Sequence, residues 1–404
     1  MTTILATDGR CLVNAQPREA RGGPRTLAAV VIQDCRQLEK LSEDWHDLYD
    51  RTECRNPFLT PEWMLTWWRH FGGAHRPFVI TVRNQDERLV AVAPMYVRRS
   101  KMGSWGPRAL CFLADRGVGT DHLTLLVGPD MKAAAVQEVV GVIQTRRDDW
   151  DYIELAAVPE TCPMWACLRS ELGAVGMREQ VIRSSICPYA LLPASFEEFL
   201  GGLSSNHRYN FRRRRRALER ESGFKFVAIE NAEDLAARFD EIARLHRLRF
   251  DDRRKRSSFL LPDIQRFHME TLPLLARHHT ARLFLLEVGG KAIAGLYGFS
   301  TGKRFSFFQS GMDPAWSRMS AGLVLMGCSI EEAIRTGHDE FDFLRGAEDY
   351  KFMWAPATRL DVTVCYFDNR LLSRLCRPHV WLRERLREAI RQCLGPVLGL
   401  AKNN

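Results

Sequence analysis

The stretch from Arg304 to Trp354 constrains this chain more than any other. RFSFFQSGMD (304–313) reads as a strand, and LVLMGCSIEEAIRTG (323–337) carries helical spacing. FDFLRG (341–346) returns to a strand and runs straight into the polar cluster AEDYKFMW (347–354). Between the first strand and the helix lies PAWSRMSAG (314–322), so Ser320-Ala321-Gly322 stands at the helix start. Backbone N–H groups at a helix N-terminus lack intrahelical partners, and the helix dipole favours an anion there. The unit is thus suited to hold a phosphate-bearing donor.

The length of 404 residues argues for two domains. A hydrophobic content of 46% with 26% charged residues is enough to bury real cores. No apolar run reaches the roughly 20 residues that cross a bilayer. Residues 1–26 lack the order of a signal peptide and read as a flexible basic tail. The 11 cysteines are scattered without a CxxC pair, as expected of reduced thiols in a cytoplasmic protein. His268, His278 and His279 show no regular spacing to Asp or Glu, so no metal is expected. No Gly-x-Ser-x-Gly elbow is present, which argues against a serine hydrolase.

The net charge of +9 is concentrated locally, in Arg212–Arg216, in a second cluster from Arg244 to Arg256, and in the C-terminal segment. Such clusters favour anionic partners: CoA phosphates, sugar nucleotides, tRNA or acidic lipid. Five consecutive arginines on a helix point all round it, so they cannot all meet one ligand. The subset Arg208, Arg212 and Arg216 is the one spaced to line a phosphate groove.

Organisation repeats along the chain. A strand (27–37) and a helix (38–52) are followed by NPFLTPEW, where Thr60 is placed to cap a helix with Pro61 at its first position. Two strands, FVITVRN and LVAVAPMYVRR, precede a strand at 122–128, a helix at 131–147 and a strand at 151–158. The second half has an arginine helix (204–222), a strand (224–230), helices at 232–249 and 262–279, a strand meander, and a last strand at 361–367. The unit at 122–158 echoes the one at 304–346, with DDWDYIEL matching GHDEFDFL in pattern, which points to an internal duplication joined near residues 186–194. No cluster like RGAEDYK follows the first copy, so the chemistry is expected in the second half or between the halves.

Together these residues resemble the CelD/BcsL-like acyltransferases of the GNAT superfamily, relatives of the FemAB-type aminoacyltransferases. The resemblance is carried by Ser310-Gly311-Met312-Asp313, Ser320-Ala321-Gly322, Ala333-Ile334, Gly337, Asp342-Phe343, Arg345-Gly346, Glu348, Tyr350-Lys351 and Trp354. Ser205–Arg216 and the aromatic set Phe58, Leu59, Pro61, Trp63 and Trp67 extend it over about residues 28–368. It implies an α+β fold of tandem GNAT-like domains, each a mixed central sheet flanked by helices. The boundaries expected are a tail at 1–26, domains at 27–190 and 191–370, and a basic amphipathic helix at 371–404.

The resemblance also implies acyl-CoA, acetyl-CoA in particular, as donor. Arg318, Ser320, Ala321 and Gly322 match part of the loop that wraps its pyrophosphate. Ala321 stands where family members often carry proline, and FemAB-type relatives use aminoacyl-tRNA, so both donors stay open. Acyl transfer needs a base, oxyanion stabilisation and an acid for the leaving group. Glu348 suits the first role, Lys351 the second and Tyr350 the third, while Asp342 and Arg345 either bind substrate or pair with each other. A small polar or glycan-type acceptor is expected, with no specific nucleic acid. The alternative is a non-catalytic module of a glycan-synthesis complex. In the C-terminal segment, Leu382, Leu386, Ala389, Ile390 and Cys393 form an apolar stripe beside Arg383, Arg385, Arg387 and Arg391, which suits weak contact with an anionic membrane or docking on protein.

Overall fold

The computed structural model describes residues 27–99, 106–252, 259 and 261–398. The expected tail at 1–26 and the basic residues Arg253–Arg256 lie outside these, as do the side chains of Arg391 and Cys393.

The first half begins with β1 (Ala28–Ile32), α1 (Cys35–Lys40), α2 (Ser42–Arg51) and α3 (Pro61–Phe71). Thr60 caps α3 by accepting from the Trp63 amide, with Pro61 in the first turn, as its sequence demands. Then come β2 (Arg76–Pro77), β3 (Val79–Arg83), β4 (Leu89–Ala93), β5 (Met95–Arg98), β6 (Ala109–Phe112) and β7 (Leu126–Val127). The half closes with α4 (Lys132–Thr145), β8 (Tyr152–Pro159), α5 (Pro163–Ala174) and β9 (Arg178–Leu191). The second half runs through α6 (Phe196–Gly202), α7 (Ser205–Glu219), β10 (Lys225–Ile229), α8 (Ala232–Asp252) and α9 (Pro262–Arg277). It continues with β11 (Ala281–Val288), β12 (Lys291–Thr301), β13 (Arg304–Met312), α10 (Ala321–Arg335) and β14 (Glu340–Asp342). It ends with α11 (Asp349–Phe352), β15 (Ala357–Phe367) and α12 (Leu371–Leu398).

Two sheets result. One has the order β1-β3-β4-β7, the other β10-β11-β12-β13-β14-β9-β15-β8-β6-β5-β2. Pro94 lies between β4 and β5, where the chain passes from one sheet to the other. At the centre of the long sheet the halves exchange their last strands. β9 ends the first half but sits between β14 and β15 of the second. β15 ends the second half but sits between β9 and β8. Pulling the halves apart therefore breaks backbone ladders as well as side-chain packing.

One expected strand is largely absent. Only Leu126 and Val127 of the segment 122–128 join a ladder. His122 adopts a left-handed backbone conformation, which turns the chain out of the sheet, and its amide is claimed by a side chain of the second half. The expected helix at 38–52 is broken into α1 and α2 at Leu41.

Apolar burial accounts for the layering. One core joins the first half to α8, α9 and β11, and includes Trp45, Phe58, Trp63 and Trp150 at no exposure. Burying such side chains stabilises by about 1.5–3 kcal/mol each. A second core gathers Phe211, Phe305, Phe341, Phe343 and Trp354 around α10. There α7 approaches α10 so closely that a Cβ on Gly327 would overlap the Phe211 ring. Among the described residues, no helix is long and apolar enough to cross a membrane.

Candidate active site between the parting strands

β13 and β14 pair in parallel only from Arg304–Ser306 to Glu340–Asp342. Immediately afterwards the register of β13 against β12 shifts. Gly298 faces Phe307 and Tyr297 faces Gln309, so Phe308 is the extra residue of a β-bulge. A bulge bends its strand and strengthens the local twist, and here it coincides with the parting of β13 from β14. The Phe308 ring turns into the first half's aromatic set, 5.8 Å from Phe58 and 5.6 Å from Trp63 between centroids. Those aromatics thus hold the bulge in place.

The helix at the open end starts without a side-chain cap. Ser320 stands before α10 in a left-handed conformation at φ 55°, unusual for a residue with a Cβ. Strain of this kind concentrates at functional sites. Ala321 is buried, Gly322 half-buried and Arg318 exposed. The Arg318 carbonyl accepts from the Arg214 guanidinium at 2.6 Å, so the arginine helix meets this loop through Arg214.

The other arginines singled out in the sequence do different work. Arg208 donates to the carbonyls of Leu200 and Gly201 at the end of α6, at 3.2 and 3.1 Å. One guanidinium nitrogen thereby satisfies helix-end acceptors. Arg212 pairs with Glu197 on the surface.

The polar cluster hangs from the first half. Phe343 and Gly346 donate their amides to Pro188 and Ile186 of β9 at 2.9 Å each. Asp342 is fully buried and does not face solvent or Arg345. One of its oxygens accepts from the Leu344 amide at 2.8 Å, and the other lies 3.0 Å from His122 Nε2. His122 Nδ1 lies 2.8 Å from Asp361, which also accepts the His122 amide at 2.9 Å. Burial opposes charge on this imidazole, but Asp361 and then Asp342 outweigh it, raising the His122 pKa to about 10. Asp342 is correspondingly held well below the usual carboxylate range, its desolvation outweighed by His122 and by the more distant Arg359. Arg345 pairs instead with Asp121, Nε to Oδ1 at 3.0 Å, and reaches the Thr120 carbonyl at 3.1 Å. The expected mutual pair of Asp342 and Arg345 is replaced by two separate ties to the loop 120–122.

Beyond this anchor the groups open towards solvent. Lys351 is 4% exposed, donates to the Arg345 carbonyl at 2.9 Å, and lies 3.0 Å from Glu348. The Glu348 side chain is 36% exposed, but the carboxylate oxygen facing the ammonium, Oε2, is buried with it. Gly346 has φ 128°, and a Cβ there would overlap both the Glu348 carboxylate and the Lys351 ammonium. Only glycine fits this turn. Tyr350 is half-buried with the Arg249 guanidinium 5.9 Å from its ring centroid. Arg249 also donates to Ser310 Oγ at 2.8 Å, tying α8 to the parted end of β13 and to the cluster. His246 of α8 lies 3.0 Å from the Ser310 carbonyl and, with its pKa lowered to about 4 by burial, donates there as a neutral ring. Arg249 entered the sequence reading only as one charge in a cluster. The signal for His246 and Arg249 was their spacing on one helix face, three residues apart, opposite Ser310-Gly311.

With this geometry in hand, comparisons agree on the fold. Residues 205–352 match the family described as an acetyltransferase (GNAT) domain. No curated protein matches the sequence. Among solved structures, FemX superposes with a TM-score of 0.57 at 10% identity, covering 80% of this chain and 95% of its own. L-PGS from Bacillus licheniformis does so with a TM-score of 0.50 at 12% identity, covering 88% of this chain and 97% of its own. The molecule is an α+β protein of tandem GNAT-like domains, and within its second half residues 205–352 are similar to the GNAT acetyltransferase domain.

Proposed function

We propose that the chain moves an acyl group, acetyl in the first instance, from acyl-CoA to an amine or hydroxyl of a polar acceptor such as a sugar or cell-envelope precursor. The observation that carries this is the bulge-driven parting of β13 from β14, with a strained helix start on one side and, on the other, half-exposed Glu348 and Tyr350 beside the buried Lys351. Arg318 and the amides of Ala321 and Gly322 would hold the donor's pyrophosphate. In the transfer, the acceptor heteroatom bonds to the thioester carbonyl carbon and the carbon–sulfur bond breaks. Glu348 takes the acceptor's proton, and the Tyr350 hydroxyl protonates the departing sulfur. Lys351, held by Arg345 and Glu348, supplies fixed positive charge for the developing oxyanion.

Calorimetric titration with acetyl-CoA and a longer acyl-CoA tests the donor. Micromolar binding lost in the Arg318→Ala, Ser320→Ala double variant supports the reading. Absence of binding to either thioester, with or without acceptor present, would turn the assignment to aminoacyl-tRNA.

One observation favours a peripheral membrane contact as well. α12 docks through buried Ser373, Cys376 and Val380, and Arg383 pairs with Glu154 at 2.8 Å. Its opposite face leaves Leu371, Leu375, Leu382, Leu386 and Ile390 more than half exposed, with Arg385 stacked over Trp381. Co-sedimentation with anionic vesicles, compared between the whole chain and Leu382→Ser with Leu386→Ser, checks it.

A further inference from the structure

We propose that His46, Glu62 and His278 form a site for one divalent cation of the zinc type, linking the two halves of the chain. The three come from separate elements: His46 from α2, Glu62 from the first turn of α3, and His278 from the C-terminal end of α9. His46 Nδ1 lies 3.2 Å, and His278 Nε2 3.3 Å, from the same Glu62 oxygen. Tetrahedral zinc with bonds of about 2.0–2.1 Å sets neighbouring ligand atoms about 3.3 Å apart. Two edges of the cluster therefore already have the length a bound cation imposes, and all three ligand atoms lie within 4.8 Å of one another.

The polar accounting points the same way. The two imidazole centroids are 3.8 Å apart, an arrangement that brings two basic rings against one carboxylate. Yet His46 Nδ1 and Glu62 Oε2 are buried without a hydrogen-bond partner, the close approach of His46 to Glu62 lacking hydrogen-bond alignment. Leaving such atoms unsatisfied costs about 1–3 kcal/mol each. A cation held against Glu62 Oε1 would engage His46 Nδ1 directly. The donor set, two imidazoles and a carboxylate, suits zinc-like metals rather than calcium or magnesium, which prefer oxygen. Asp50 stands 3.7 Å from the other His46 nitrogen, Nε2, where a carboxylate orients a metal-bound imidazole. The fourth position is left to water.

The site's place in the fold gives it a role. α3 and α9 already meet through Arg69 and His70 on Glu270, at 2.6 and 2.7 Å. A cation at His46–Glu62–His278 adds a second tie across the same seam, independently of the acyl-transfer reading. Sequence spacing could not reveal it, because the third ligand follows the second by more than 200 residues.

The test uses the full chain stripped of metal and titrated with Zn2+ by calorimetry and Co2+ by absorption. The expected result is one cation per chain, a tetrahedral cobalt spectrum without a thiolate charge-transfer band, and a melting temperature raised by roughly 5 °C at saturating Zn2+. His278→Ala should abolish all three, and its side chain is 44% exposed, so the fold should survive the change. Glu62→Gln should weaken binding at least ~10-fold. Absence of stoichiometric binding overturns the proposal. So does binding that persists in the His46→Ala, His278→Ala double variant, or a thiolate band placing the metal at a cysteine such as exposed Cys54.

Discussion

The two strand–helix–strand units of this molecule share an order and differ in what surrounds them. In the first, β7 and β8 lie in different sheets, and the chain leaves β8 for a turn and α5. Two carboxylates on this side are held by guanidinium groups: Glu154 is 2% exposed and meets Arg98, Arg116 and Arg383 at 2.8–2.9 Å, while Asp115 meets Arg98 at 3.2 Å. In the second unit, β13 and β14 stay side by side for three residues and then part, leaving Glu348 and Tyr350 half-exposed. One copy spends its charges on holding its own structure. The other borrows its structural anchor, His122, from the first and keeps its outer polar groups available. The two units thus differ in how far their charges are committed to structure.

Removing His122 should strain that comparison most. His122→Ala leaves Asp342 and Asp361 buried without their shared cation, and breaking a buried pair by deleting one partner costs about 3–5 kcal/mol. It also frees the turn at Leu344, so turnover should fall in the molecules that stay folded. The wild type should show the same dependence through pH. The imidazole pKa rises from about 6.5 in the unfolded chain to about 10 in the fold. Its contribution is then complete below about pH 6.5 and is lost as pH climbs through about 10. Asp342, with a lowered pKa, adds the opposite limb, lost as pH falls through the acid range. Urea unfolding across alkaline pH checks this, and an alkaline slope unchanged in His122→Ala would refute it.

The support was less legible in the sequence than the chemistry. The change from strand to helix spacing between residues 304 and 346 is local, and β13, α10 and β14 lie where it placed them. β9 was not visible, because its first part is charged and Pro188 interrupts it, features that normally argue against a central strand. Its pairing with β14 and β15 depends on partners far along the chain. His122 was hidden for the same reason, its two carboxylates lying 220 and 239 residues away. Local pattern could show where groups gather but not which distant residue holds them.

Two intermediate changes separate the halves. Glu348→Gln keeps the shape of the turn and removes the proposed base, so turnover should drop by about 10²–10⁴-fold with little change in melting temperature. Glu154→Gln should do the reverse. Three guanidinium groups, those of Arg98, Arg116 and Arg383, lose the carboxylate they share, at a cost of about 2–3 kcal/mol, while acetyl transfer per folded molecule stays within about twofold. Loss of turnover in Glu154→Gln at full folding would mean that the first half takes part in the chemistry after all.

The smallest effect is expected at Arg212, and its smallness is informative. The arginine run looks like an anion site in the sequence, yet among the described residues Arg212 pairs with Glu197, both side chains exposed. Exposed pairs of this kind contribute about 0–1 kcal/mol, so Arg212→Ala should shift stability by at most ~0.5 kcal/mol and leave acyl-CoA affinity unchanged. Arg214→Ala, two residues on, removes the hydrogen bond to the Arg318 carbonyl and should weaken donor binding several-fold. Equal loss in the two variants would mean that the helix acts as a diffuse field of charge. Loss confined to Arg214→Ala would mean that one arginine of five shapes the donor loop.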